Sequence, residues 1–141
     1  MSKKIPKWAT VNPWKISHEN KATLNNLVDG KWLNSTKKIN IIDPLNGQKI
    51  LKVPCLDNLD IYKKSMQKCN LSGLHNPIKN TERYLMYGEI SAKAAMELDK
   101  DYVSEFFIKS IQRVMPKSYS QAKAEVDITK KFLYNFSGDQ V

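Results

Sequence analysis

The sequence predicts an α+β protein in which two β-hairpins precede about four helices. Two turn signals, Asp29-Gly30 and Asn46-Gly47, interrupt short apolar segments in the first part of the chain. Beyond Pro54, apolar side chains recur at the three- and four-residue spacing of amphipathic helices. The change of period therefore marks the passage from strands to helices.

The two turns define the two hairpins. A type I′ turn needs positive φ at both central positions, and Asp29-Gly30 tolerates this. In the second turn, Pro44 presets the first φ, and the Asn-Gly pair that ends at Gly47 tolerates positive φ. Because the hairpins follow one another directly, we expect them to form one small antiparallel sheet.

Four helices are predicted beyond the hairpins, over about residues 57–69, 81–98, 101–114 and 118–136. Asp57 is the expected N-cap of the first helix, and Gly138 is the expected residue after the last one. The side chains expected to face the core are Leu59, Tyr62, Met66 and Cys69 in the first helix, Leu85, Ile90, Ala94 and Leu98 in the second, Val103, Phe107, Ile111 and Val114 in the third, and Val126, Phe132 and Phe136 in the fourth.

The charge of the chain admits more than one kind of partner. A formal net charge of +9 over 141 residues is compatible with nucleic acid or an anionic membrane. Arg83 and Arg113 are the only arginines among 23 basic residues, whereas readers of phosphates and bases rely on the guanidinium group. A solvated lysine surface is therefore favoured over a nucleic-acid site. No apolar run is long enough for a membrane-spanning helix.

Residues 1–26 are predicted to form an N-terminal arm or leader, and residues 27–141 the folded part. The first 28 residues contain five lysines and a single acid, Glu19, which resembles the composition of organelle transit peptides. Pro6 and Pro13 oppose an amphipathic helix, because proline breaks helices. A mitochondrial leader and an arm that packs along a cytoplasmic protein both remain open.

No catalytic signature and no metal-binding constellation is present in the sequence. Cys55 and Cys69 are far apart, and neither His18 nor His75 is spaced from them as in a zinc site or a nucleophile–base pair. Structural thiols are the favoured interpretation of both cysteines. We therefore expect no metal in this chain, and its residues alone do not indicate a reaction.

Several short runs follow one another in a specific order. Val28-Asp-Gly-Lys-Trp32 precedes Asp43-Pro-Leu-Asn-Gly47, and four more runs follow. They are Gly-Leu-His-Asn-Pro at 73–77, Asn-Thr-Glu-Arg-Tyr-Leu at 80–85, Pro-Lys-Ser-Tyr at 116–119 and Asn-Phe-Ser-Gly-Asp-Gln-Val at 135–141. Over roughly residues 8 to 141 the sequence resembles the N-terminal portion of an aldehyde dehydrogenase, of the plant and protist pyrroline-5-carboxylate dehydrogenase type.

The resemblance implies the first part of an α/β aldehyde dehydrogenase fold, cut before the main NAD-binding core. It implies a parent enzyme that oxidises glutamate semialdehyde, which equilibrates with pyrroline-5-carboxylate, to glutamate in proline catabolism. In that family a cysteine thiolate attacks the aldehyde, NAD accepts the hydride, and a glutamate activates the hydrolytic water. These residues and the main NAD contacts correspond to positions beyond Val141. The resemblance therefore implies no catalytic or cofactor-binding residue in this chain, no activity of the chain alone, and a parent that forms oligomers.

The resemblance also singles out a run expected to border the substrate. Related enzymes carry Ala-Glu-(Ile/Val)-Asp on a helix at the tunnel through which the aldehyde arrives, and residues 124–127 match it. Glu125 is thereby a candidate substrate-binding residue, and Ala124, Ile128 and Thr129 are candidates for the tunnel lining. An exposed acid stabilised by the helix dipole explains Glu125 equally well.

Three functions are therefore compared. The first is the N-terminal fragment of the dehydrogenase, and the alternative is a non-enzymatic structural subunit of the same descent held in a larger assembly. Both predict an exposed apolar face, which partner chains cover in the second case. The third, a basic module for RNA or anionic membrane, predicts lysines gathered on one face. We favour the enzyme fragment.

Overall fold

The computed structural model describes residues 3–55, 59–67 and 81–137. These residues form short strands and helices, which confirms the predicted α+β class. The strands are β1 (Ala22–Thr23), β2 (Asn26–Val28), β3 (Lys31–Leu33), β4 (Lys38–Ile42) and β5 (Lys49–Pro54), and the helices are α1 (Leu59–Gln67), α2 (Thr81–Leu98), α3 (Asp101–Val114) and α4 (Tyr119–Asn135). The chain divides into a helical unit, Met1–Trp14 with Ser72–Val141, and a strand unit, Lys15–Leu71.

Both predicted hairpins form in the strand unit. Asp29 and Gly30 have φ of 54° and 72° between antiparallel β2 and β3, as the type I′ prediction requires. The turn between β4 and β5 is organised by Asp43, which is only 3% exposed. An Asp43 Oδ1 atom accepts the Leu45 N–H at 3.0 Å, and the Asp43 carbonyl accepts the Gly47 N–H at 2.8 Å. Asp43 therefore closes the turn, and Gly47 supplies its positive φ of 72°.

The prediction of a single antiparallel sheet is wrong. The strand order is β1-β5-β4 in one sheet and β2-β3 in another, and β1 pairs with β5 in parallel. The Leu24 N–H continues this pairing by donating to the Lys52 carbonyl at 2.8 Å. The short segment ahead of β2 thus occupies the edge of β5. Among the described strands, β2 and β3 pair only with each other. A strand of two residues carries no periodic signal in the sequence.

The helix boundaries agree closely with the sequence. The second and third predicted helices have the bounds of α2 and α3, and α4 lies inside its predicted range between the caps Ser118 and Phe136. Helix α1 lies within the first predicted helix. Asp57, Cys69, Gly138 and the runs at 73–77 and 138–141 lie outside the described residues.

The core of the helical unit lies where α2, α3 and α4 meet. Ala95 and Ala122 have no exposed surface, so the helix backbones approach closely at these positions. A Cβ added at Gly88 of α2 would lie 3.2 Å from the Ser137 carbonyl oxygen, beyond the end of α4. The buried core residues are Leu98, Val103, Ile108, Ala122 and Val126, with Tyr102, Phe107, Ile111 and Leu133 partly buried against them.

Several predicted core residues face solvent instead. Helix α2 buries Gly88, Ala95 and Leu98, and this orientation leaves Leu85 and Ile90 outside. Helix α4 buries Ala122 and Val126, and this orientation points Phe132 and Phe136 away from the core. The predicted inward side chains that are exposed are Leu59, Met66, Leu85, Ile90, Val114, Phe132 and Phe136.

The first described residues pack along the helical unit. The Trp8 ring lies 5.5 Å from the Phe106 ring and 5.8 Å from the Phe107 ring of α3. The Lys4 ammonium lies 4.3 Å above the Tyr102 ring, a cation–π contact. This packing fits the arm interpretation of the N-terminal residues, while the boundary at residue 26 remains a prediction. Among the described helices, none is long and apolar enough to cross a membrane.

Two isoleucines that differ in burial test this description of the core. Ile108 is 2% exposed and Ile128 is 52% exposed. We expect Ile108→Ala to lower the free energy of unfolding of the chain by about 2–5 kcal/mol, because it leaves a cavity. Ile128→Ala should change it by less than about 0.5 kcal/mol. Urea denaturation measures the free energy of unfolding of both variants. Equal effects would contradict the assignment of Ile108 of α3 to the core and of Ile128 of α4 to the surface.

Candidate functional site

Helix α4 carries the candidate residues, and its start is fixed by a capping box. The Ser118 hydroxyl accepts the Gln121 N–H at 3.2 Å, and the Gln121 side-chain oxygen accepts the Ser118 N–H at 3.0 Å. These two bonds satisfy backbone donors that the first helical turn otherwise leaves open. The direction in which Glu125 leaves the helix is thereby set by local bonds and by the buried contacts of Ala122 and Val126.

An apolar groove of about 460 Å³ lies beside α4 in the helical unit. Its walls come from α2, α3, α4 and the indole of Trp8, and Glu97, Glu125 and Thr129 are the lining residues with charged or hydroxyl side chains. The residues that line it are Trp8, Ala94, Glu97, Leu98, Val103, Phe107, Ile111, Glu125, Val126, Thr129 and Leu133. Apolar walls with a few convergent polar groups are typical of small-molecule sites.

Glu125 is held at the rim of this groove. Its carboxylate pairs with the Lys117 ammonium, which reaches it from the segment between α3 and α4. The Glu125 side chain is 42% exposed and that of Lys117 is 27% exposed. The pair places one negative and one positive group side by side at the edge of an apolar surface.

The four candidate residues divide between two faces of α4. Glu125 and Thr129 line the groove, and the Thr129 hydroxyl donates to the Glu125 carbonyl at 2.8 Å. Ala124 and Ile128 are exposed and are not part of the groove lining. The structure thus brings two of the four together beside a cavity. The substrate role of all four remains a prediction.

Trp8, which lines the groove, and Lys117, which pairs with Glu125 of the lining, were not singled out from the sequence. Lys117 stands within the Pro-Lys-Ser-Tyr run that carried part of the family resemblance, but nothing in that run indicated a partner eight residues away. Trp8 lies in the arm, and its contact with α3 spans about a hundred residues of sequence. Contacts of such separation leave no local pattern.

A second, polar cavity of about 400 Å³ lies on the other side of the same helices, among α3, α4 and the turn before α3. Its charged groups form internal pairs, since Lys123 Nζ lies 2.6 Å from Asp127 Oδ2 and Lys130 Nζ lies 3.0 Å from Asp99 Oδ1. The Tyr119 hydroxyl donates to Glu105. Because these groups satisfy one another, the cavity has the features of a solvated polar surface.

The hydrogen bonds of this polar surface move the pKa of its acids. The Tyr134 hydroxyl and then the Lys130 ammonium, which both donate to Asp99, lower the pKa of that carboxyl below its ordinary 3.8. The Lys123 ammonium likewise lowers the pKa of Asp127. Both shifts favour the ionised carboxylates, so the ion pairs persist at neutral pH.

Lysines along the helices are interspersed with acids. Described ion pairs join Lys93 with Glu89, Lys100 with Glu97, Lys117 with Glu125, Lys123 with Asp127 and Lys130 with Asp99. Paired cations contribute little to the field that steers a polyanion. This arrangement favours the solvated-surface interpretation of the net charge over a nucleic-acid platform.

The cysteine and histidine candidates form no constellation in the described part of the chain. Cys55 is a half-buried free thiol at the end of β5, where its backbone bonds to Lys37 and Ser35. His18 is exposed, whereas Cys69 and His75 lie outside the described residues. Within residues 3–55, 59–67 and 81–137, no three potential ligand side chains are grouped to hold a metal ion.

The fold and the arrangement of its elements agree with the N-terminal piece of an aldehyde dehydrogenase. A probable aldehyde dehydrogenase from Linum usitatissimum is 48% identical over 136 residues, which are 95% of this chain and 25% of that protein. No family model matches the chain.

The name of a second relative specifies the substrate of that protein. Delta-1-pyrroline-5-carboxylate dehydrogenase 12A1, mitochondrial, from Arabidopsis thaliana is 46% identical over 136 residues, or 95% of this chain and 24% of that protein. The resemblance to the N-terminal portion of these enzymes is therefore confirmed. The chain spans about a quarter of the length of the curated relatives it matches.

The hydrogen bond between Tyr134 and Asp99 can be tested by titration. We expect Tyr134→Phe to raise the pKa of Asp99 toward 3.8, because it removes the largest cause of the lowering. The Asp99 bond stabilises the fold above the unfolded-state pKa, and this contribution is lost as the pH falls through the lower folded-state pKa. Tyr134→Phe should therefore reduce the acid sensitivity of folding.

Carbon-detected NMR of the Asp99 carboxyl group measures this pKa directly. Tyr119→Phe serves as the control, since the Tyr119 hydroxyl bonds to Glu105 instead. An Asp99 pKa that is the same in Tyr134→Phe and in the unaltered chain would show that the bond does not persist in solution.

Proposed function

We propose that the chain is the N-terminal part of an NAD-dependent dehydrogenase that oxidises glutamate semialdehyde, in equilibrium with pyrroline-5-carboxylate, to glutamate. The observation that carries this proposal is the identity of 46–48% over 95% of the chain to two plant proteins, one named an aldehyde dehydrogenase and one a pyrroline-5-carboxylate dehydrogenase. Identity at this level over nearly the whole chain leaves little room for a different fold in this region.

In this proposal Glu125 and Lys117 contact the amino-acid end of the substrate, which lies opposite the reacting aldehyde. Glutamate semialdehyde carries an α-ammonium and an α-carboxylate, so a carboxylate beside an ammonium group complements both charges. The apolar groove walls accommodate the methylene chain between those charges and the aldehyde. The Lys117 ammonium holds the Glu125 carboxylate in position. The role of these residues is binding and orientation.

The groove does not fit NAD. Its lining includes the carboxylates of Glu97 and Glu125, which would repel a pyrophosphate. The lining also lacks a glycine-rich turn at a helix N-terminus, which is the usual cradle for that group. We therefore assign the cofactor site, the cysteine nucleophile and the glutamate base to parts of the parent enzyme other than this chain, and the chain alone is inactive in this proposal.

The proposed location is the mitochondrion. It is supported by the similarity to the mitochondrial Arabidopsis protein and by the acid-poor, lysine-containing N-terminal residues. The cytoplasm is the alternative. Imaging of a fusion protein with the tag placed after Val141 distinguishes the two compartments.

The structural-subunit alternative draws on one observation, the exposed apolar side chains of α2 and α4. Both proposals predict such a surface, but they assign it different partners. In the alternative, other subunits cover it and no turnover occurs. Dehydrogenase activity of the complete polypeptide that contains this sequence separates the two.

The Glu125 assignment is tested in that complete enzyme. We expect Glu125→Ala to raise KM for the semialdehyde by about tenfold or more, because a hydrogen bond between charged groups contributes roughly 1.5–3 kcal/mol. Steady-state NAD reduction at varied aldehyde concentration measures it. KM for NAD should not change.

The matched control is Glu105→Ala, which removes an acid that lines the polar cavity and not the groove. It should leave both KM values unchanged. If Glu125→Ala has the same kinetics as the unaltered enzyme, Glu125 does not belong to the substrate site. NAD reduction by the purified 141-residue chain would contradict its proposed inactivity.

A further inference from the structure

Residues 3–14, which we call the strap, are fixed in the helical unit by more than one contact. Pro6 has less than 2% of its surface exposed, and Pro13 is buried as well. The Lys4 ammonium lies 4.3 Å above the Tyr102 ring of α3. The strap belongs to the same compact unit as α2, α3 and α4. It is therefore a packed part of that unit.

A turn within the strap presents Trp8 to helix α3. The Pro6 carbonyl accepts the Ala9 N–H at 3.0 Å, and this bond closes the turn on which Trp8 lies. The indole meets the Phe106 ring edge to face at 85° and lies on the Phe107 ring at 33°. Trp8 is nevertheless 54% exposed, and its indole lines the apolar groove. One side of the ring is thus packed, and the other is open to a ligand.

The strap supplies a wall that the helices alone do not provide. The other lining residues belong to α2, α3 and α4, between positions 94 and 133, whereas Trp8 comes from the opposite end of the chain. Undocking of the strap removes the indole and opens the groove on that side. A ligand that contacts the indole therefore stabilises the docked strap, and the docked strap raises the affinity for that ligand by the same factor.

We propose that the strap is part of the ligand site: its docking completes the groove, and the Trp8 indole limits the size of the ligand that the groove accepts. The inference rests on the proposed function for the identity of the ligand, an aldehyde with an α-amino-acid end. The indole contacts the methylene chain of that ligand, and Glu125 contacts its charged end. Trp8 is a specificity-determining residue in this proposal and touches no reacting atom.

The strap coincides with residues whose composition resembles a transit peptide. A leader of that kind is removed after import. Cleavage behind Trp8 would uncover Phe106 and Phe107 and open the groove, so the proposal requires that Trp8 is retained in the working protein. Labelling of the N-terminus of the purified endogenous protein, followed by mass spectrometry, identifies its first residue. We expect a first residue ahead of Trp8, and a first residue beyond it would overturn the proposal.

Kinetics of the complete enzyme test the role of the indole. We expect Trp8→Ala to raise KM for glutamate semialdehyde by about tenfold or more, because buried aromatic anchors dominate binding. The value of kcat should change by less than about twofold, since Trp8 touches no reacting atom. Trp8→Phe retains an aromatic wall and should restore most of the affinity. Trp32→Ala is the matched control, because Trp32 is 61% exposed and belongs to β3.

Size selectivity separates a wall of the groove from a contact that only supports the fold. The second aldehyde is 2-aminoadipate semialdehyde, which is one methylene longer. We expect Trp8→Ala to raise kcat/KM for the longer aldehyde, relative to that for glutamate semialdehyde, by about tenfold. A contact that only supports the fold would lower both values together. An unchanged ratio would overturn the proposal.

Closure of the groove is measured in the 141-residue chain without any activity. Ile111→Cys places a thiol in the groove lining, and its alkylation by iodoacetamide is followed by peptide mass spectrometry. We expect the rate to rise at least about fivefold when Trp8→Ala is added, because the wall is removed. Cys55 of the strand unit is the internal reference and should be labelled equally in both chains. An equal rate at position 111 would show that the strap does not close the groove.

The strap proposal and the proposed function fail separately. If Trp8→Ala speeds labelling at position 111 but the complete enzyme does not oxidise glutamate semialdehyde, the strap remains a wall of the groove and the proposed activity is rejected. If the enzyme oxidises that aldehyde and Trp8→Ala changes neither KM nor the size ratio, the proposed activity is retained and the role of the strap is rejected. Urea denaturation establishes that each variant folds.

Discussion

Close packing of α2, α3 and α4, with small side chains at several buried positions, determines the arrangement of the helical unit. Ala95 and Ala122 are fully buried, and a side chain at Gly88 would meet the backbone at Ser137. Leu98 of α2, Val103 and Ile108 of α3 and Val126 of α4 fill the core around these positions. Leu85 and Ile90 of α2 and Phe132 of α4 turn outward. The exposed apolar surface is a consequence of that packing.

The same packing sets the chemistry that the chain can perform. It opens an apolar groove beside α4 and places Glu125, bound by Lys117, at its rim. Neither group is a redox centre, and the arrangement suits binding and orientation of a small charged molecule. The groove lies on the same helix as the exposed side chains of Ile128 and Phe132. A binding surface beside exposed apolar side chains is expected of a chain that spans a quarter of a larger enzyme.

Local features of the fold could be predicted from the sequence, and features of packing could not. The Asp29-Gly30 turn and the helix bounds follow from backbone preferences, which each residue expresses locally. Periodicity marked Phe132 as apolar without showing which of two apolar faces of α4 meets the core. The resemblance selected Glu125, but the Lys117 partner and the Trp8 wall depend on tertiary contacts.

The length of the native polypeptide that carries this sequence tests the central claim most directly. Intact-mass spectrometry of the endogenous protein, enriched with an antibody against the described helices, gives that length. The proposed function predicts a species several times longer than 141 residues, with a cysteine nucleophile and a glutamate base downstream. A stable native protein of 141 residues would contradict the account and favour the structural subunit.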